Sequence, residues 1–173
     1  MTKKSLLIVI DMQEDFVFGA LANPAAEAII PNIKAKIEEF LSNGDEVIYT
    51  RDTHRVNYLN TQEGKNLPVE HCIHGTKGWT IVDALEHPEC RHINKTTFGY
   101  PNWGYENLDN YEYIELVGTC TGICVVSNAL LIKANYPEIL VSVDASCCAC
   151  VNEESHRAAL QTMKMCQVNV YND

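Results

Sequence analysis

Uninterrupted apolar runs alternate along this chain with stretches whose apolar positions recur every three to four residues. The first run, SLLIVI at residues 5–10, stops at Asp11, which is the pattern of a strand buried on both faces. From Asn23 an NP pair leads into AAEAIIPNIKAKIEEFLSNG, where Ile29, Ile33, Ile37, Phe40 and Leu41 recur at helical spacing and Gly44 supplies a stop. Pro31 requires a late start or a kink in that helix. EVIYTR at 46–51 reads as a second strand, and a strand, helix, strand succession predicts a right-handed crossover with parallel pairing.

The alternation resumes further on. Strands are expected at RHINK (91–95), YIELVG (113–118), ILVSVD (139–144) and VNVYN (168–172), with helices from about Ile123 to Asn135 and over NEESHRAALQTMKM (152–165). A short helix is expected around WTIVDAL (79–85). Two polar, irregular stretches, 52–77 and 96–110, interrupt the rhythm, and long ordered loops are commonly functional. With no linker, repeat or low-complexity tract, residues 1–173 are expected to form one domain. The predicted fold class is α/β: a three-layer α/β/α sandwich around a mostly parallel, doubly wound, Rossmann-like sheet of about six strands.

Composition narrows the partners. A formal net charge of −10, with no basic run longer than a lysine pair, argues against nucleic acid. No apolar stretch reaches membrane-spanning length and no signal peptide opens the chain, so a cytoplasmic protein without a membrane partner is expected. In that compartment the eight cysteines should be mostly free thiols. Exposed aromatics in FGYPNWGY (98–105) predict a homo-oligomer.

Sheets of this kind carry their sites beyond the C-terminal ends of the strands. At those ends stand Asp11, Asp52, Lys95 and the junction GTCTGIC (118–124), whose Cys120 and Cys124 are a redox pair, two metal ligands, or a nucleophile with a bystander. Near the start of a helix the Cys124 sulfur would meet unpaired N–H groups and the positive dipole end, which favour a thiolate; a buried apolar cysteine is the plainer alternative. Asp11 could take the thiol proton and Lys95 could balance both charges. In the 52–77 stretch, DTH followed by EHC offers Asp52, His54 and His71 as a two-histidine, one-carboxylate metal site, and Glu63 is a further carboxylate or a solvated surface acid. CCAC (147–150) with HCIH (71–74) raises a structural zinc site, but Cys147 and Cys148 would point in opposite directions, so core or supporting roles are preferred.

IDMQEDF, the NK at 94–95 and GTCTGICV together resemble the isochorismatase-like cysteine hydrolases, and RDTH with EHCIHGTKGW resembles their nicotinamidase (pyrazinamidase) branch. The resemblance spans nearly the whole chain and implies the isochorismatase-like hydrolase fold. It further implies that Asp11 is the base, Lys95 its partner and Cys124 the nucleophile. Cys124 would attack a small carboxamide, nicotinamide first, releasing ammonia through a thioester in a step of NAD salvage. A cis bond between Thr119 and Cys120 would turn the N–H groups of Cys120 and Cys124 into an oxyanion hole. Asp52, His54 and His71 would hold one divalent ion, zinc first with iron or manganese as alternatives, and Phe16 would line the ring pocket. Typical members of the branch carry an aromatic residue before a proline pair where this chain has Leu67 and Pro68 alone. Tyr100 and Trp103 are then candidates for another pocket wall, a lid or a subunit contact. The departure keeps a second reading open, hydrolysis of another small amide, carbamoyl or ureido compound by the same triad. The vinyl ether of isochorismate has no use for a thiol. A non-enzymatic alternative is a thiol-redox or zinc-binding protein.

Overall fold

The computed structural model describes residues 4–173. In chain order the elements are β1 (Lys4–Ile10), α1 (Glu14–Val17), α2 (Pro24–Ala28), α3 (Ile30–Ser42), β2 (Glu46–Asp52), α4 (Gln62–Asn66), β3 (Arg91–Lys95), β4 (Tyr111–Thr119), α5 (Val126–Asn135), β5 (Leu140–Ala149), α6 (Glu153–Met165) and β6 (Asn169–Tyr171). All six strands are parallel, in the order β3-β2-β1-β4-β5-β6. None of the helices is long and apolar enough to cross a membrane among the described residues.

The unbroken apolar runs are explained by a core on each face of the sheet. Leu6, Ile8 and Ile10 of β1 face Val125, Ala129, Ile132, Leu160 and Met163, from the α5 and α6 side. Leu7 and Val9 face Ile33, Ile37 and Phe40 of α3. Each such side chain contributes about 1.5–3 kcal/mol on leaving water, so a strand loaded on both faces is held in one register.

The helix expected from Asn23 is two helices. Asn23 caps α2 by accepting from Ala25 N–H at 3.0 Å, and Pro31 occupies the first turn of α3, where its missing N–H costs nothing. Gly44 ends α3 at φ 79°, with Asp45 N–H bonded to Phe40 O and Gly44 N–H to Leu41 O.

No helix forms over WTIVDAL. Lys77–Trp79 make a 3₁₀ turn, and the following backbone pairs with the segment after β1: Glu14 N–H donates to Thr80 O and Val82 N–H to Met12 O, both at 2.9 Å. The helix-like spacing of Ile81, Val82 and Leu85 serves burial against the α3 side of the sheet. β5 runs on through CCA, so that Cys147 joins one core and Cys148 the other. Trp103 is buried in the α5-side core and Tyr100 packs edge-on to it at 5.1 Å, which removes Trp103 as lid, pocket wall or subunit contact.

The central strand β1 pairs with β2 on one side and β4 on the other, with Ile10 opposite Thr50 and Gly118. The strand order reverses between β1 and β4. Loops leaving their C-terminal ends diverge there, and the crevice between them is where such sheets bind ligands.

Candidate active site

Asp11, the first residue after β1, is wholly buried with its backbone at φ 50°, in the left-handed region that a non-glycine residue seldom occupies. Its N–H is tied to Thr50 O at 3.2 Å and its Oδ1 accepts from Thr50 Oγ1 at 2.7 Å. Lys95 closes β3, where it lies opposite Asp52 of β2. Its Nζ stands 2.6 Å from Asp11 Oδ2, 3.6 Å from Asp52 Oδ1 and 3.6 Å from Cys124 Sγ. The 2.6 Å contact is a fully buried ion pair.

Cys124 lies on a π-helical turn, Thr121–Val125, that precedes α5. The Thr119–Cys120 peptide bond is cis, and Cys120 O accepts from Ile123 N–H at 3.0 Å and Val125 N–H at 3.1 Å. The expectation of a dipole-stabilised thiolate at Cys124 is corrected. Burial, then the neighbouring Asp11 charge, push this thiol well above its ordinary value, and Lys95 only partly opposes them. A shift in that direction favours the neutral thiol of Cys124. Burial also raises Asp11 against the pull of Lys95, which makes it a stronger base than a surface aspartate. Lys95 would lose its charge to burial but for the Asp11 and Asp52 carboxylates, which hold it as ammonium.

The redox pairing of Cys120 with Cys124 is not formed. Cys120 Sγ lies 3.7 Å from Cys150 Sγ, its thiol pushed up to about 12 by burial and then by Cys150, and all eight cysteines are free.

Asp52, His54, Glu63 and His71 place one ligand atom each within 4.8 Å of one another. A β-bridge between His54 and Ile73, with His54 N–H on Cys72 O at 2.9 Å, carries His71 across the loop to its partner. Asp15 Oδ2 holds the same turn through Cys72 N–H at 2.8 Å. Thr61 caps α4 and sets Glu63 in the group. His71 Nδ1 faces Val69 O at 2.7 Å, which leaves Nε2 to the cluster, 3.6 Å from Asp52 Oδ2 and 3.8 Å from Glu63 Oε1. Two imidazoles and two carboxylates converging in a buried site are a donor set that fits a divalent ion such as zinc, iron or manganese. CCAC contributes to no such cluster among the described residues.

Both groups open on one cavity of about 790 Å³. It is lined by Asp52, Glu63 and His71, by Cys120 and Cys124, and by the apolar side chains of Phe16, Leu67, Phe98 and Ile123. Phe16 lies 5.5 Å, ring to ring, from His71. The structure thus gathers Asp11, Lys95, Cys120 and Cys124 with Asp52, His54, His71 and Phe16. Three residues escape sequence reasoning. Gln13 clamps the Asp52 peptide, Asn128 bonds the Cys124 carbonyl, and Phe98 walls the cavity. Only Gln13 carried a signal, as a polar side chain just past a buried strand.

A doubly wound sheet thus gathers a thiol, a carboxylate and an ammonium at its switch point. Comparison with known proteins gives the family: the isochorismatase domain matches residues 5–172, and the chain belongs to the isochorismatase family. It is 29% identical to the uncharacterized isochorismatase family protein PncA of Bacillus subtilis, over 91% of this chain and 92% of that protein. The zinc complex of Pyrococcus horikoshii pyrazinamidase superposes with a TM-score of 0.82 at 27% identity, covering 98% of this chain and 99% of the other. The nicotinamidase/pyrazinamidase PncA structure from Bacillus subtilis gives 0.84 at 25% identity, covering 98% and 100%.

Proposed function

We propose that this chain is an amide hydrolase that converts nicotinamide to nicotinic acid and ammonia through a Cys124 thioester. The observation that carries the reading is the placement of Lys95 Nζ 2.6 Å from Asp11 and 3.6 Å from the Sγ of Cys124, which lines the cavity. Asp11 accepts the Cys124 proton as sulfur attacks the carbonyl carbon, which avoids a free buried thiolate. The negative charge moves to the substrate oxygen, where the N–H groups of Cys120 and Cys124 receive it. Asp11 returns the proton to the departing nitrogen, ammonia leaves, and the thioester remains. A water deprotonated by Asp11 then attacks that carbon, and Cys124 leaves with the proton. Lys95 stays protonated throughout and offsets the charge that Asp11 and Cys124 exchange.

Asp52, His54, Glu63 and His71 would hold one divalent ion, zinc as in the Pyrococcus relative, with iron and manganese as alternatives. When bound, it supplies Lewis-acid binding of a ring nitrogen. Phe16 would support the ring face.

Ammonia release from nicotinamide, measured with and without a chelator, tests the assignment. Cys124→Ala is expected to lower kcat by about 10⁴-fold or more. Cys120→Ala keeps its backbone N–H and should retain most turnover. Normal turnover in the Cys124 variant would falsify the nucleophile. Leu67 on the cavity wall favours a second reading, hydrolysis of another small amide, carbamoyl or ureido compound by the same residues. A substrate panel decides between them, and nicotinamide turnover far above every other compound sinks the second.

A further inference from the structure

Asn128 is fully buried and uses its whole hydrogen-bonding capacity. Its Oδ1 accepts from Tyr100 N–H and Trp103 Nε1–H, each at 2.8 Å. Its Nδ2 donates to Cys124 O at 2.7 Å and Phe98 O at 3.1 Å. One side-chain amide therefore joins the turn that carries the nucleophile to the segment that carries Phe98. Gly99 tightens the same contact, since a Cβ there would fall 2.5 Å from Leu131 Cδ1 of α5. Phe98 lines the cavity with Cys124 and Ile123, yet 44% of it remains exposed. An apolar ring left half in water at a cavity mouth gains burial only when something apolar lies against it.

We propose that Phe98 is a specificity wall for ring-bearing amides and that Asn128 is the positioning residue that sets this wall against Cys124; the proposal rests on the amide-hydrolase reading. A planar ring lying between Phe98 and the opposite wall places its amide carbon toward the sulfur of Cys124, the residue whose backbone carbonyl Asn128 also holds. A short acyclic amide reaches Cys124 without touching Phe98. The two residues act as one unit, so their effects on ring binding should overlap.

The test compares wild type, Phe98→Ala, Asn128→Asp and the double variant, using the KM of nicotinamide and the inhibition constant of propionamide. Phe98→Ala should raise the nicotinamide KM about tenfold and move propionamide by less than about twofold. Asn128→Asp sets a carboxyl against two carbonyls; it should raise the same KM and also lower kcat through Cys124. In the double variant the Asn128 change should move KM no further than Phe98→Ala alone. Fully additive KM effects, or equal effects on both compounds, overturn the proposal. Hydrogen exchange at residues 96–103 needs no substrate. Faster exchange in Asn128→Asp is expected, and unchanged exchange overturns the positioning role even in a protein that hydrolyses nothing. If wild type releases ammonia from no amide, the amide-hydrolase reading fails separately. Should Asn128→Asp not fold, Asn128→Ser removes the donors to Cys124 O and Phe98 O without adding a charge, and it must give the faster exchange and the KM rise; unchanged values overturn the proposal.

Discussion

Gln13 shows how much of this site depends on a side chain that touches neither nucleophile nor ligand atom. Its Oε1 accepts from Asp52 N–H at 2.7 Å, while Nε2 donates to Asp52 O and to Trp79 O, each at 2.9 Å. The Asp52 peptide is thus fixed from both sides, and with it the carboxylate that faces His54, His71 and Lys95. Gln13→Glu keeps the shape but turns a carboxyl oxygen toward two carbonyls. Supporting groups of this kind typically contribute about 10–100-fold to metal affinity, and zinc affinity in competition with a chromophoric chelator should fall by that order. Unaltered affinity, with the melting temperature as a check on folding, would sink the assignment. The candidate residues were legible in sequence because Asp11, Asp52 and Lys95 stand at the ends of predicted strands and Cys124 in the junction after another. Glu63 was legible only as one of two alternatives, and Asn128 not at all, since neither stands at a strand end. Their roles arise where chain segments meet in space.

Elements were legible where burial and periodicity agree. The runs of β1 and β4 and the stripe of α3 declared themselves because both faces of a central strand, and one face of a helix, must leave water. WTIVDAL misled because its backbone spends its hydrogen bonds on residues 12–14, and the π turn at Thr121–Val125 has no compositional signature. Two strands approach closely at the end of β4. Gly118 has φ 122°, and a Cβ there would lie 2.1 Å from Ile10 O, a backbone atom of the neighbouring strand. Gly44 also has positive φ, 79°, but nothing lies within 4 Å of its Cβ position. The comparison separates conformational strain from crowding. Gly44→Ala should cost about 1 kcal/mol in urea unfolding. Gly118→Ala should cost about 3 kcal/mol or more and depress turnover as well, because it pushes the strand that leads into Cys120 away from the strand that leads into Asp11. Equal costs for the two would mean that β1 and β4 can part without penalty.

At the scale of the molecule, the buried Asp11–Lys95 pair at one end of the sheet is matched by a second charged group that joins layers. Lys36 of α3 lies 2.7 Å from Glu115 of β4 and 2.8 Å from Asp144 of β5, and it donates to Tyr171 Oη of β6 at 2.8 Å. Burial alone would raise the Asp144 pKa, but hydrogen bonds from Lys36, Ser146 and Asn172 outweigh it and hold the carboxyl below its ordinary 3.8. Burial would likewise lower Lys36, yet Asp144 and Glu115 hold it above its ordinary 10.5. The contribution of Asp144 to stability is therefore complete above 3.8 and drains away as pH falls through its lower folded value, while that of Lys36 is complete below 10.5 and lost only above it. Across neutral pH both are in force. Lys36→Met leaves two carboxylates buried without a cation, and should cost about 3 kcal/mol at pH 7. Without the lysine, burial is free to raise Asp144, so the variant takes up a proton at higher pH than wild type and its deficit should shrink as the solution is acidified toward about pH 4. Urea unfolding of both proteins across that range measures the difference directly. A deficit that stays constant with pH would mean that Lys36 holds the layers through the packing of its alkyl stem, and that its charge contributes nothing.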